Sequence, residues 1–168
     1  SGCSDSNGPG DPSLWDAEIP TIPLDATRAP ALLPCTVRPE QVDTFTVDSR
    51  GGSFRVDYAR VTIPAWAVAT GMSRTFQMRT PSASINSVVF SPIDKRGAMT
   101  FGVPVKIELD YKNCGGAHGG KRGIVNTTDA DGAAGVPQVL AKVPSADDSL
   151  IASVSGGSTH FSRYAISY

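Results

Sequence analysis

Val103-Pro104-Val105-Lys106-Ile107-Glu108-Leu109-Asp110-Tyr111 is the stretch whose reading decides the fold class. Val105, Ile107 and Leu109 recur at every second position and share one face, while Glu108 and Asp110 fall on the other. A period of two is that of a half-buried β-strand. The same alternation recurs at Phe54, Val56 and Tyr58, separated by Arg55 and Asp57, and again over Arg74–Arg79. Further strands are predicted at Thr44–Val47 and at Arg60–Ile63 ahead of Pro64, and Ile124–Thr127 looks extended, not helical. Gln138–Val143, Leu150–Val154 and a closing strand over Ser158–Tyr168 complete the set. Arg50-Gly51-Gly52 reads as a turn. Ala65-Trp66-Ala67-Val68 is too short for a stable helix and reads as a buried single turn. Short strands at this spacing predict an all-β protein, an antiparallel β-sandwich with negligible α-helix.

Composition agrees. The 168 residues are most simply one domain, long enough to bury a core. Seventeen Gly and 13 Pro, with Val, Thr, Ser and Ile in short runs, are the make-up of a turn-rich β protein. A net charge of −1 and 18% charged residues give no electrostatic reason to expect nucleic acid or an anionic membrane as partner. No apolar run approaches the length of a membrane span.

Residues 1–40 differ from residues 41–168, which carry the sandwich pattern. Pro9, Pro12, Pro20, Pro23, Pro30, Pro34 and Pro39 punctuate this first segment. Proline at such density excludes a helix or a central strand and favours an extended arm. Yet Trp15, Ile19, Ile22, Leu24, Leu32 and Leu33 lie between the prolines. A solvated linker has no use for them, so the arm is expected to dock. The arm docks either on this chain's own sandwich or on a neighbour's; docking on a neighbouring copy is the favoured expectation, making the protein a homo-oligomer through its arm.

Three cysteines, Cys3, Cys35 and Cys114, leave one thiol over in a chain of secreted character. Ser1-Gly2-Cys3 resembles the end of a bacterial lipoprotein signal. On that reading Cys3 carries lipid, the chain's one link to a membrane, and Cys35 and Cys114 form a disulfide closing a long loop. The alternative is cleavage before Ser1, with Cys3 free or bonded. Either way the expected location is extracellular or at the cell surface.

The core resembles the ZU-type β-sandwich of ankyrins, netrin receptors and zonula occludens proteins, in particular its bacterial secreted relatives. Gly51-Gly52 and Val61-Thr62-Ile63-Pro64-Ala65-Trp66-Ala67-Val68 carry the resemblance first. Val89-Phe90-Ser91-Pro92, then Phe101-Gly102-Val103-Pro104-Val105 through Tyr111, and His160-Phe161-Ser162-Arg163-Tyr164-Ala165 follow in the family's order. The resemblance spans roughly residues 45–168 and leaves the arm unexplained. The chain departs from it in a glycine-rich insertion at Gly115–Gly123.

Some members of that family cleave themselves between Phe and Ser, which makes His160, Phe161 and Ser162 the candidate reactive residues. In an N-to-O acyl shift, His160 takes the Ser162 hydroxyl proton and the oxygen attacks the Phe161 carbonyl. Water then hydrolyses the ester. The step needs a strained peptide and oxyanion donors. Alternatively Phe161 packs in the core while His160 and Ser162 hydrogen-bond across a sheet, and this is the favoured reading. Cleavage would release only Ser162–Tyr168, so no enzymatic activity is expected.

Other motifs fall short of a site. Cys114 and His118 lack the further ligands a zinc centre needs, and no metal is expected. Gly115 to Gly120-Lys121 imitates a phosphate loop, but Arg122 stands where Ser or Thr should hold magnesium. Asp129-Ala130-Asp131-Gly132 lacks the oxygen count of a calcium loop. Asn126-Thr127-Thr128 fits a glycosylation sequon. No cofactor is implied.

Three functions compete. The first is an extracytoplasmic structural or interaction protein, a self-assembling surface or filament subunit using its arm as strand or connector. The second is a self-processing domain, and the third a surface-anchored binding lipoprotein.

Overall fold

The computed structural model describes residues 30–93, 100–115, 120–127 and 137–168. Eleven strands form two antiparallel sheets packed face to face, an all-β sandwich with no helix among the described residues. In chain order they are β1 (Gln41–Asp48), β2 (Gly52–Val56), β3 (Ala59–Ile63), β4 (Ser73–Thr80), β5 (Ser87–Pro92) and β6 (Thr100–Asp110). Then follow β7 (Gly123–Thr127), β8 (Val139–Val143), β9 (Ser145–Asp148), β10 (Ser153–His160) and β11 (Arg163–Ser167). One sheet has the order β1-β4-β5-β11-β7-β8, the other β2-β3-β6-β10-β9.

The deciding stretch is the centre of the second sheet. β6 lies between β3 and β10, with Val105, Ile107 and Leu109 fully buried. Pro104 has no N–H to give a ladder, and the β6–β10 register shifts beside it, between Ser158 and His160. The first sheet contributes Phe76, Met78, Phe90, Ile124, Tyr164 and Ile166 to the same core. Phe45, Phe54, Phe76, Phe90, Phe101 and Phe161 form a connected ring cluster with centroids 4.4–6.4 Å apart.

Four sequence readings change. The expected closing strand is two strands in two sheets: β10 ends at His160, Phe161 and Ser162 make the corner, and β11 begins at Arg163. Leu150 and Ile151 lie in a turn and are exposed, so the strand starts only at Ser153. The turn is set by Asp148, whose carboxylate accepts the Leu150 N–H, and by Ala152 at φ 52°. The turn at 65–68 buries Ala67 and Val68 but leaves Trp66 71% exposed, at φ 70°. A strand sequence reading did not separate, β9, pairs with β10 at the sheet edge.

The last part of the arm is built into the sandwich. The Leu33 N–H donates to Ile166 O at 2.8 Å and the Cys35 N–H to Ser84 O at 2.7 Å. Gly115 N–H donates to Pro34 O, and Thr36 N–H to Asn113 O. Leu33 is fully buried in this chain's own core. Cys35 and Cys114 are disulfide-bonded, as expected, across 79 positions of sequence. Asn86, almost fully buried, and Asn113 exchange a reciprocal pair of amide hydrogen bonds beside the bridge. Asn86 also donates to Asp110 O and Asn113 to Thr36 O, so one pair fastens the arm root, the end of β6 and the approach to β5. Cys3, Trp15, Ile19, Ile22 and Leu24 lie outside the described residues.

Candidate functional site

The corner between β10 and β11 holds the sequence-predicted residues His160, Phe161 and Ser162. β10 belongs to one sheet and β11 to the other, so the chain must cross the core between them. Phe161 fills that crossing. Its ring stacks on Phe90 (4.4 Å, 12° between planes) and meets Phe76 at 4.9 Å and Phe101 at 4.7 Å. Ser162 O accepts the Phe90 N–H at 3.1 Å, tying the corner to β5.

The hydroxyl of Ser162 turns to β7, where it donates to Asn126 Oδ1 at 3.3 Å. The His160 imidazole makes no hydrogen bond among the described residues, so base and nucleophile are not paired. The His160 backbone, by contrast, is fully engaged. Its N–H donates to Ser158 Oγ at 3.3 Å. Its carbonyl lies 2.9 Å from Ser158 Oγ and 2.8 Å from Tyr164 Oη, which are 2.7 Å from each other. Two hydroxyl protons serve three oxygen contacts in this triangle. Each hydroxyl is placed to donate to the carbonyl, and at most two of the three contacts carry a proton at once. Burial pushes the Tyr164 phenol up to about 12, against the opposing pull of its hydrogen bond with Ser158. Tyr164 is thus a neutral donor throughout the physiological range. Asn126, Val143, Pro144, Ser158, His160 and Tyr164 line a small recess at this corner.

Sequence reading singled out the three corner residues but missed Ser158, Tyr164 and Asn126 as their partners. No local signal marks them, because two sheets must form before they meet. Asn126 is half-buried within β7, its carbonyl oxygen held by Ser162, so the sequon does not offer a loop amide for glycosylation. His118, Asp129 and Asp131 lie outside the described residues. Asp147 accepts from the Tyr111 hydroxyl at 2.8 Å and the Arg122 N–H at 3.1 Å, and the Arg122 guanidinium covers the Tyr111 ring at 4.5 Å. That cluster braces the segment after β6. Among the described residues no three His, Cys, Asp or Glu side chains converge on a point that could hold a metal ion.

The corner is thus a packed crossing with every backbone polar group of His160 satisfied, flanked by a hydroxyl triangle and a shallow recess. Neither a protein-family model nor any curated protein matches this chain.

Proposed function

We propose that this chain is an extracytoplasmic structural or interaction module, with a ZU-type sandwich as its body and the N-terminal arm as its connector in self-assembly. The observation that carries the reading is the root of the arm. Residues 33–36 are hydrogen-bonded to β11, to the segment before β5 and to the segment after β6, and Cys35 is covalently fixed to Cys114. A connector that leaves from a fixed point passes orientation from one copy to the next, which a floppy tether does not. The disulfide supports an oxidising compartment. The corner geometry supports an intact chain, since the Ser162 hydroxyl is committed to Asn126.

The experiment is sedimentation of the full chain and of a chain lacking residues 1–29, at native salt. Removal stops at 29 because Leu33 and Cys35 belong to the core. Concentration-dependent association that disappears with the arm supports the reading. A full chain that sediments as a monomer at high concentration refutes it.

A further inference from the structure

The two sheets have four edge strands, β1 and β8 in one and β2 and β9 in the other. β1 is eight residues long, whereas β8, β2 and β9 have five, five and four. Short edges offer little to an incoming strand, and Lys or Pro on an edge discourages one. β1, Gln41-Val42-Asp43-Thr44-Phe45-Thr46-Val47-Asp48, is long and carries neither. Among the described residues no strand lies on its far side, and Val42, Thr44 and Thr46 are exposed. Alternate backbone groups of β1 face that open side, and two contacts show which. The Ile93 N–H donates to Thr75 O at 3.1 Å, so Thr75 turns its polar backbone away from β1 and toward the β5 side. Thr46, opposite Thr75, therefore sits in a non-hydrogen-bonded pair, where side chains approach closest, and the two hydroxyls are 3.0 Å apart. Two residues back along β1, the Thr44 N–H donates to the Asp43 carboxylate at 2.8 Å instead of to β4. The N–H and C=O groups of Val42, Thr44 and Thr46 thus point outward.

We propose that β1 is a strand-pairing edge that joins two copies of this chain, antiparallel about a two-fold axis through Phe45, with Asp43 as its guard. The occupant follows from the strand's own sequence. Outward groups must meet outward groups, so two copies of β1 keep all but one residue paired in only two alignments: Thr44 opposite Thr44, or Phe45 opposite Phe45. The first sets Asp48 against Glu40, and like charges directly opposite destabilise a sheet. The second sets Thr44 against Thr46, Val42 against Asp48 and Asp43 against Val47, with no like charges opposed. It also covers an apolar ring that one chain leaves half-buried. Phe45 lies 5.0 Å from Phe54 and 5.8 Å from Phe76, so Phe45 against Phe45 brings the rims of two aromatic clusters together. The guard acts on the hydrogen bond at the heart of this pairing. The Asp43 carboxylate holds the Thr44 N–H that the second copy's Thr46 carbonyl must take, and it has to turn aside before the strands zip. Pairing is therefore a reversible contact of modest affinity.

This contact goes beyond the connector reading and does not rest on it. Alone, a two-fold edge contact closes as a dimer. Alternating with a second contact made by the arm, it extends into an open array.

The test is sedimentation of the full chain, with amide hydrogen exchange followed along β1. Rising concentration should convert monomer to dimer and slow exchange at Thr44 and Thr46. Thr44→Pro should weaken the dimer about 30-fold, because the axis removes one net hydrogen bond twice. Circular dichroism should keep its β signature, since that N–H gives nothing to β4. If Thr44→Pro does not fold, Thr44→Lys/Thr46→Lys carries the same expectation by setting lysine against lysine twice across the axis. Asp43→Ala, which releases the Thr44 N–H, should tighten the dimer several-fold. A full chain that stays monomeric at high concentration overturns the proposal. So does a dimer that a folded Thr44→Pro or double-lysine variant keeps at full strength, or one that Asp43→Ala weakens. Association that Thr44→Pro leaves intact and removal of residues 1–29 abolishes overturns the edge contact and leaves the connector reading standing. Association that Thr44→Pro abolishes and removal of residues 1–29 leaves intact supports the edge contact and refutes the connector.

Discussion

Gly51 sits at φ 71°, and a Cβ built on it would stand 2.3 Å from Ile63 O and 2.7 Å from Pro64. Both the left-handed backbone and the space demand glycine there. Gly51→Ala is predicted to cost about 2–4 kcal/mol, combining backbone strain with displacement of the β3 end. Thermal or urea unfolding measures it, and a loss below about 1 kcal/mol would contradict the contact. At Gly71, also at positive φ, no atom lies within 4 Å, so an alanine there meets the backbone penalty alone. Two buried tyrosines make a second residue-scale prediction. Burial pushes the Tyr58 and Tyr164 hydroxyls up to about 12 each. An unfolded tyrosine ionises near 10. The folded state thus holds protons that the unfolded chain releases between pH 10 and 12. The tyrosine contribution is complete below pH 10 and is lost as pH rises toward 12, on the order of 2–3 kcal/mol per residue. Urea unfolding at stepped alkaline pH should show that decline, and Tyr164→Phe should make it shallower. Gly51 was legible in the sequence, because Arg50-Gly51-Gly52 is local turn chemistry. The meeting of Tyr164 with Ser158 and the His160 carbonyl was not, since it is made by two sheets.

The corner between β10 and β11 shows why one element was misread. From Ser158 to Tyr168 the residue types carry nothing that marks an end of strand. What divides the segment is a change of pairing partner, from β6 and β9 on one side of Phe161 to β5 and β7 on the other. Pairing is non-local and leaves no mark in the strand itself. β6 was read correctly because it is buried on one face along most of its length, so its alternation survives folding unchanged. Leu150 and Ile151 misled in the opposite way: their apolar character suggested a strand, but the Asp148 cap and Ala152 backbone turn the chain there. Two substitutions separate packing from chemistry at the corner. Phe161→Ala removes a ring held by three others and is predicted to cost about 3 kcal/mol. Ser162→Ala removes one long, part-buried hydrogen bond and should cost about 1 kcal/mol or less. Intact mass spectrometry should give the full-length chain for both wild type and Ser162→Ala. A wild-type species ending at Phe161, absent from Ser162→Ala, would show that the Asn126 contact is broken on the way to cleavage.

At the scale of the whole molecule, the two sheets are joined by buried rings and the arm root by a covalent bond. The Cys35–Cys114 bridge closes a loop across 79 positions. In the chain-entropy account, closing such a loop is worth on the order of 4 kcal/mol. Reduction should lower stability by that amount without melting the sheets, since Cys35→Ser/Cys114→Ser leaves Leu33 and the aromatic cluster in place. A β circular dichroism spectrum with a lowered urea midpoint is the expected result. Collapse to an unfolded spectrum at low urea would mean that the bridge, and not the core, holds the fold.

The same root has a mechanical meaning. Ala31–Leu33 runs antiparallel to Ile166–Tyr168, with the arm's exit next to the end of β11. A load drawn between those two points peels the hydrogen bonds one after another instead of shearing them together. On the arm side the peel halts at Cys35, because the bridge passes tension straight to Cys114 and keeps the residues between them out of the load path. In single-molecule stretching, the oxidised chain should give way at low force and extend only through the segments outside the bridged loop. The reduced chain should go on to release roughly 270 Å of hidden length from those 79 positions. The fold would then act as a fuse with a redox-set limit: it yields early, and its disulfide decides how far.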